Sequence, residues 1–130
     1  MIYSLVVLSA PVSGQTSRHA ADFARAVLAC GHTIHRVFFL DAGTMASATG
    51  CVLPQDETDP VRGWIEFARQ HTVELVVCVT SALRYGMLDA TEAERYERPG
   101  PTIDSRFTIA GLGDLVDACA SSDRVVTFGG

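Results

Sequence analysis

The sequence predicts a three-layer α/β/α domain built on a mainly parallel sheet of four or five strands. Strand-sized apolar runs alternate with amphipathic helical stretches from end to end, and that alternation produces a parallel sheet with helices on both faces. The chain has 130 residues, near the commonest domain size, so residues 1–130 read as a single domain. With 48% hydrophobic and 19% charged residues, it supplies a core without a disulfide or metal staple.

Ile2–Ser9 is a continuous apolar run, as expected of a parallel strand covered on both faces. Ala10–Gln15 brings Pro and Gly, and Thr16 or Ser17 is expected to cap a helix running to about Cys30. Within it Ala20, Phe23, Ala24, Val27 and Leu28 recur at three and four residues and form one apolar face. Gly31 fits the left-handed position that ends a helix. Thr33–Leu40, rich in Ile, Val and Phe, is the second strand. Asp41–Thr58 reads as a loop with at most a short helix around Ala42–Ala48. Asp59-Pro60 then starts a helix, with Asp as N-cap and Pro in the first turn; Val61, Trp64, Ile65 and Ala68 face the core. Val73–Val79 is the third clear strand, and Thr80 or Ser81 caps a short helix ending near Gly86. Met87–Arg106 is a polar excursion, partly helical at Thr91–Glu97, expected to be mobile or to lie at an interface. Leu112, Leu115, Val116 and Cys119 mark a final helix, with Cys119 expected in the core. Arg124–Phe128 is the last strand.

All ten basic residues are arginine, and the chain has no lysine. This excludes a Walker A lysine, an internal Schiff base with pyridoxal phosphate, and a lysine general base. A net charge of −5 with scattered arginines argues against direct nucleic-acid binding, whose affinity comes from neutralised phosphates. The apolar runs are far short of the ~20 residues that span a bilayer. The start, Met1-Ile2-Tyr3-Ser4-Leu5, lacks the basic n-region of a secretory leader. A soluble, cytoplasmic protein without membrane contact is expected.

Cys30, Cys51, Cys78 and Cys119 form no C-x-x-C pair, and free thiols are the default reading. Cys78 ends a buried strand just before a helix. One reading is a small apolar residue packed in the sheet. The other is a thiolate favoured by unpaired amides and the helix dipole. In open parallel sheets, functional groups gather outside the carboxyl ends of the strands. Two loops lie there: Ser9–Ser17 and Cys78–Gly86.

The stretch Cys78-Val79-Thr80-Ser81-Ala82-Leu83-Arg84-Tyr85-Gly86 resembles the cysteine loop of the DsrE/TusD family of sulfur-relay proteins. Gly111-Leu112-Gly113-Asp114-Leu115-Val116-Asp117-Ala118 and Ser122-Asp123-Arg124-Val125-Val126-Thr127-Phe128-Gly129 resemble its closing helix and strand. The opening Ser9-Ala10-Pro11 to Thr16, with Ala20–Ala29, is similar to its first strand-loop-helix. The likeness spans essentially the whole chain and is most like DsrE. It implies the family's fold and a cytoplasmic sulfurtransferase that carries sulfane sulfur as a persulfide on Cys78 and needs no cofactor. It also implies partners: homologous DsrF-like and DsrH-like (TusC/TusB-like) subunits in a dimer of heterotrimers, a TusA-like donor and a DsrC/TusE-like acceptor. The DsrE branch serves dissimilatory sulfur oxidation, the TusD branch tRNA thiolation; the resemblance leans towards the first.

Other constellations carry weaker chemistry. Cys30, His32 and His35 have near-ligand spacing, but Gly31 sets Cys30 and His32 on two sides of a turn, and no second cluster supplies the four ligands zinc requires; no metal is expected. Ser9–Thr16 invites comparison with the phosphate loop of flavodoxin, where Tyr85 or Tyr96 would have to flank a flavin. Cys51 lies in the irregular loop, His19 and His71 lack nucleophilic neighbours, and Asp56, Glu57 and Asp59 form an acidic turn. Three functions therefore stand: a sulfur carrier on Cys78, a flavodoxin-like binding module, and a structural subunit whose active thiol lies on a sister chain.

Overall fold

In the computed structural model, which describes residues 1–129, β1 (Ile2–Val7), β2 (Thr33–Phe39), β3 (Glu74–Cys78), β4 (Phe107–Ala110) and β5 (Arg124–Phe128) form one sheet. The order is β4-β3-β2-β1-β5, with every pairing parallel. The chain steps outward from β1 to β4 and then crosses back to β5. Right-handed crossovers therefore put α1 (Thr16–Ala29), α2 (Pro60–Gln70) and α3 (Val79–Arg84) on one face and α5 (Gly113–Ser121) on the other.

The first face holds the main core: Leu5, Val7, Val37, Phe39 and Val77 from the sheet against Ala20, Ala24, Trp64, Phe67 and Ala82 from the helices. The Trp64 ring stands edge-on to Phe39, centroids 5.2 Å apart, and its Nε1–H donates to Ser17 Oγ at 3.1 Å. That bond satisfies the one polar atom of a wholly buried indole. The second face carries a smaller cluster of Phe38, Val76 and Cys78, with Leu40, Ala110 and Leu115 packed against it. A register shift after Tyr3, which pairs Ile34, lets Ser4 pair Arg36. The unpaired His35 is a bulge, and beyond it Arg36 and Phe38 point to the α5 face.

Local signals place the caps with mixed success. Asp59 caps α2 by accepting from the Val61 and Arg62 amides, with Pro60 in the first turn. Gly31 adopts φ +81° after α1, as its position requires. The cap of α1 is Gln15, without a side-chain bond, rather than Thr16 or Ser17, because Ser17 is turned inward to Trp64. Helix α3 begins at Val79, with Cys78 itself as N-cap, earlier than Thr80 or Ser81 suggested. Asp41–Ser47 forms a short 3-10 helix.

The fifth of the expected four or five strands is Phe107–Ala110, whose four residues at a sheet edge barely announce it. One expectation needs correction. The excursion Met87–Arg106, which includes α4 (Ala90–Arg95), is packed rather than loose: Met87, Leu88, Ala93 and Ile103 are buried. Its backbone is tied to the 3-10 segment by Asp104 N–H to Ser47 O at 2.8 Å and Thr49 N–H to Thr102 O at 2.9 Å. No helix among the described residues is long and apolar enough to cross a membrane.

Candidate functional site

Cys78 is the last residue of β3 and the N-cap of α3, so it stands at the carboxyl end of the sheet. Its neighbours in the ladder are fixed by register: Cys78 lies opposite Ala110 of β4, and Leu40 follows the Phe39–Val77 pair on β2. Its side chain shares the α5 face with Val76, two residues back. The residue is 2% exposed, a buried thiol among apolar groups. Its side chain makes no capping bond, while the first amides of α3 have no helical acceptor.

Helix α3 is only six residues long, and the end of β2 holds it. The Asp41 amide donates to Ser81 Oγ at 3.0 Å, and the Tyr85 hydroxyl donates to Asp41 Oδ1 at 3.2 Å. Ser81 and Tyr85 are one turn apart and so face Asp41 together. Asp41 sits at φ +53°, a left-handed conformation that Asp adopts more readily than most residues. Its carboxylate, by accepting a hydrogen bond from the phenol O–H, holds Tyr85 above the ordinary value of 10.0. Nothing in the sequence reading singled out Asp41, although an acidic residue directly after an apolar strand was the available signal.

The roof over the Cys78 cluster is α5, and a buried arginine holds that helix down. Arg36 Nε and Nη2 bind Glu74 Oε2 at 2.8 and 2.7 Å, while Nη1 donates to Asp114 O at 2.7 Å and Asp117 Oδ2 at 3.2 Å. His35 Nε2 pairs with the same Asp117 oxygen at 2.9 Å. The His35 bond holds Asp117 below its usual 3.8 and outweighs the opposing effect of burial, with the Ser121 hydroxyl and the Arg36 charge adding to the lowering. The outer side of α5 bears Leu112 at 56% and Val116 at 68% exposure.

Cys119 is exposed on α5, contrary to the expected core position. The helix buries the side bearing Leu115 and Ala118, and Cys119 lies off that side. Cys30 is exposed at the C-cap of α1, where helix carbonyls gather, and Cys51 is half-buried in the loop. His32 faces the amino terminus of Met1 at 3.1 Å and His35 faces Asp117, so the cluster of Cys30, His32 and His35 does not converge. Among the described residues, no three His, Cys, Asp or Glu side chains are grouped to hold a metal ion. The loop after β1 helps line a concavity of about 770 Å³ with Arg18, Arg25 and Arg62, without an aromatic side chain. Neither Tyr85, which is tied to Asp41, nor Tyr96 lines that concavity, and Trp64 is buried in the core.

The DsrE/DsrF-like family matches residues 1–128 of the chain. A sulfurtransferase TusD from Serratia proteamaculans is 42% identical over 126 residues, which cover 97% of this chain and 98% of that one. A TusD homologue from Pseudomonas aeruginosa is 41% identical over 125 residues, 96% and 95% of the two chains. DsrE of Allochromatium vinosum is 40% identical over 129 residues, 99% of each. The crystal structure of the Escherichia coli YchN protein superposes with a TM-score of 0.75 at 21% identity, covering 98% of this chain and all of that one; it shares the fold.

Proposed function

The chain belongs to the DsrE/DsrF-like family, and from that premise we propose that it is a sulfurtransferase of a sulfur relay, with Cys78 as the residue that carries the sulfur. The observation that carries the assignment is positional. Cys78 is the one cysteine at the carboxyl end of the sheet, where a strand passes directly into a helix. Cys30 lies at the end of a helix, Cys119 on an outer surface and Cys51 in a loop.

The chemistry is an exchange at sulfur. The Cys78 thiolate attacks the outer sulfur of a donor persulfide; a new S–S bond forms at Cys78 and the donor's S–S bond breaks. The donor leaves as a thiolate with the bonding electron pair, and the transferred sulfur keeps its proton. Sulfur thus moves at constant oxidation state, and the step requires no cofactor. Passage to an acceptor thiolate is the same reaction with the roles reversed.

The proposal includes a cytoplasmic relay complex in which DsrF-like and DsrH-like sister subunits join this chain, a TusA-like protein supplies sulfur and a DsrC/TusE-like protein receives it. The exposed apolar side of α5 supports assembly with other chains. Relatives from both branches stand at similar distance, 42% for a TusD and 40% for DsrE. Our proposal takes dissimilatory sulfur oxidation as the pathway, on the overall likeness of the chain to DsrE. Loss of sulfur oxidation with intact 2-thiouridine in a deletion strain would support it, and the opposite pattern would assign tRNA thiolation.

The decisive test is intact mass after incubation with a small-molecule persulfide. A gain of roughly 32 Da at Cys78, removed by reductant, is expected. Cys78→Ala should abolish the gain, whereas Cys30→Ser and Cys119→Ser should keep it. Alanine is the better replacement at Cys78, since serine would bury a hydroxyl among Leu40, Phe38 and Leu115. Full loading of Cys78→Ala overturns the assignment. Loading of the isolated chain also separates it from a purely structural subunit.

A further inference from the structure

A thiolate must bring its sulfur within bonding distance of a donor sulfur, yet Cys78 is 2% exposed. Reaction therefore requires one of its covers to open. The covers differ greatly in how they are held. Leu40 and Ala110 flank Cys78 within the sheet: Leu40 donates its amide to Val7 O at 3.0 Å, and Ala110 is in the β4 ladder. Helix α3 is held by buried Ala82, by the Met87 amide on Ala82 O at 2.8 Å, and by the two bonds to Asp41.

The remaining apolar side chain packed against the Phe38, Val76 and Cys78 cluster is Leu115, in the first turn of α5. The segment leading to it is Gly111-Leu112-Gly113. All three residues are exposed, and a β-carbon at either glycine would meet no atom within 4 Å. Its backbone bonds are internal to the turn: Asp114 to Gly111 O at 3.2 Å and Leu115 to Leu112 O at 3.0 Å. The first tie to the sheet is Arg36 Nη1 on Asp114 O at 2.7 Å.

We infer that Leu115 is the gate residue of Cys78, carried on a turn hinged at Gly111 and Gly113 and latched shut by Arg36. The inference rests on Cys78 as the reacting thiol. In the closed state Leu115 covers the cluster and excludes stray thiols from a loaded persulfide. In the open state the turn swings from the end of β4, and the sulfur is reached from the α5 face.

The test uses alkylation by iodoacetamide, with sites resolved by peptide mass. Cys30 and Cys119, both exposed, report reagent activity in the same molecule. In the wild-type chain Cys78 should react far more slowly than either. Leu115→Ala should raise the Cys78 rate at least ten-fold relative to Cys30 and Cys119. Because that variant also leaves a cavity, a second one removes no packing: Gly111→Ala/Gly113→Ala should slow Cys78 about five-fold by restricting the hinge. An unchanged relative rate in Leu115→Ala, or an unchanged or faster rate in the double variant, overturns the gate. The readout needs no sulfur donor. A chain that alkylates as described but gains no sulfur keeps the gate and refutes the carrier; one that loads sulfur with unaltered alkylation does the reverse.

Discussion

Gly43 sits in the 3-10 segment after β2, where its amide is shared between Leu8 O and Leu40 O at 3.0 Å each. A β-carbon there would overlap the Val7 carbonyl oxygen outright and approach the carbonyl carbon to 2.8 Å. Both atoms belong to the backbone of a central strand, which has no rotamer to yield. Gly43→Ala must therefore push the 3-10 segment off β1, at the upper end of the usual overpacking cost, about 3 kcal/mol. For a chain of this length the unfolding entropy is about 0.27 kcal/mol/K, so Tm should fall by about 11 °C. The displaced segment carries Asp41, so the bonds to Ser81 and Tyr85 should weaken and α3 should loosen at Cys78. Thermal unfolding followed by circular dichroism measures the first effect. Gly50→Ala, where a β-carbon meets nothing within 4 Å, is the matched control and should stay within about 0.5 kcal/mol of wild type. A Gly43→Ala protein melting within about 2 °C of wild type would refute the close approach.

Trp64→Phe removes the donor to Ser17 Oγ and part of a fully buried ring, and Ser17 is itself 1% exposed. Denaturant unfolding should show a loss of about 2–3 kcal/mol, and a loss under about 0.5 kcal/mol would contradict that packing. Asp117 has its folded-state value depressed, so its contribution is complete above 3.8 and disappears as pH falls through the lower folded value. Acid unfolding should therefore begin with release of α5 below about pH 4, and Asp117→Asn should flatten that limb; an unchanged acid limb in the variant would exclude the His35–Asp117 pair as its source.

The sequence by itself determined whatever depends on near neighbours. Asp59-Pro60 starts a helix and Gly31 ends one because capping and left-handed turns involve a few consecutive residues. The alternation of apolar runs is enough for a parallel sheet, since each run must be covered on both faces. It also places Cys78 at a strand's carboxyl end. Tertiary structure decided which side of each element is inside. Helix α5 has two apolar sides, Leu115 with Ala118 and Leu112 with Val116, and only the path from β4 across to β5 selects the first. That choice exposes Cys119 and roofs Cys78. Arg36 is legible only as a charge within an apolar strand; its burial requires Glu74, 38 residues on, and Asp117, 81 residues on. A guanidinium enters a core only where the fold has already gathered carboxylates to receive it. Such partners, distant in sequence, meet only when the sheet is assembled.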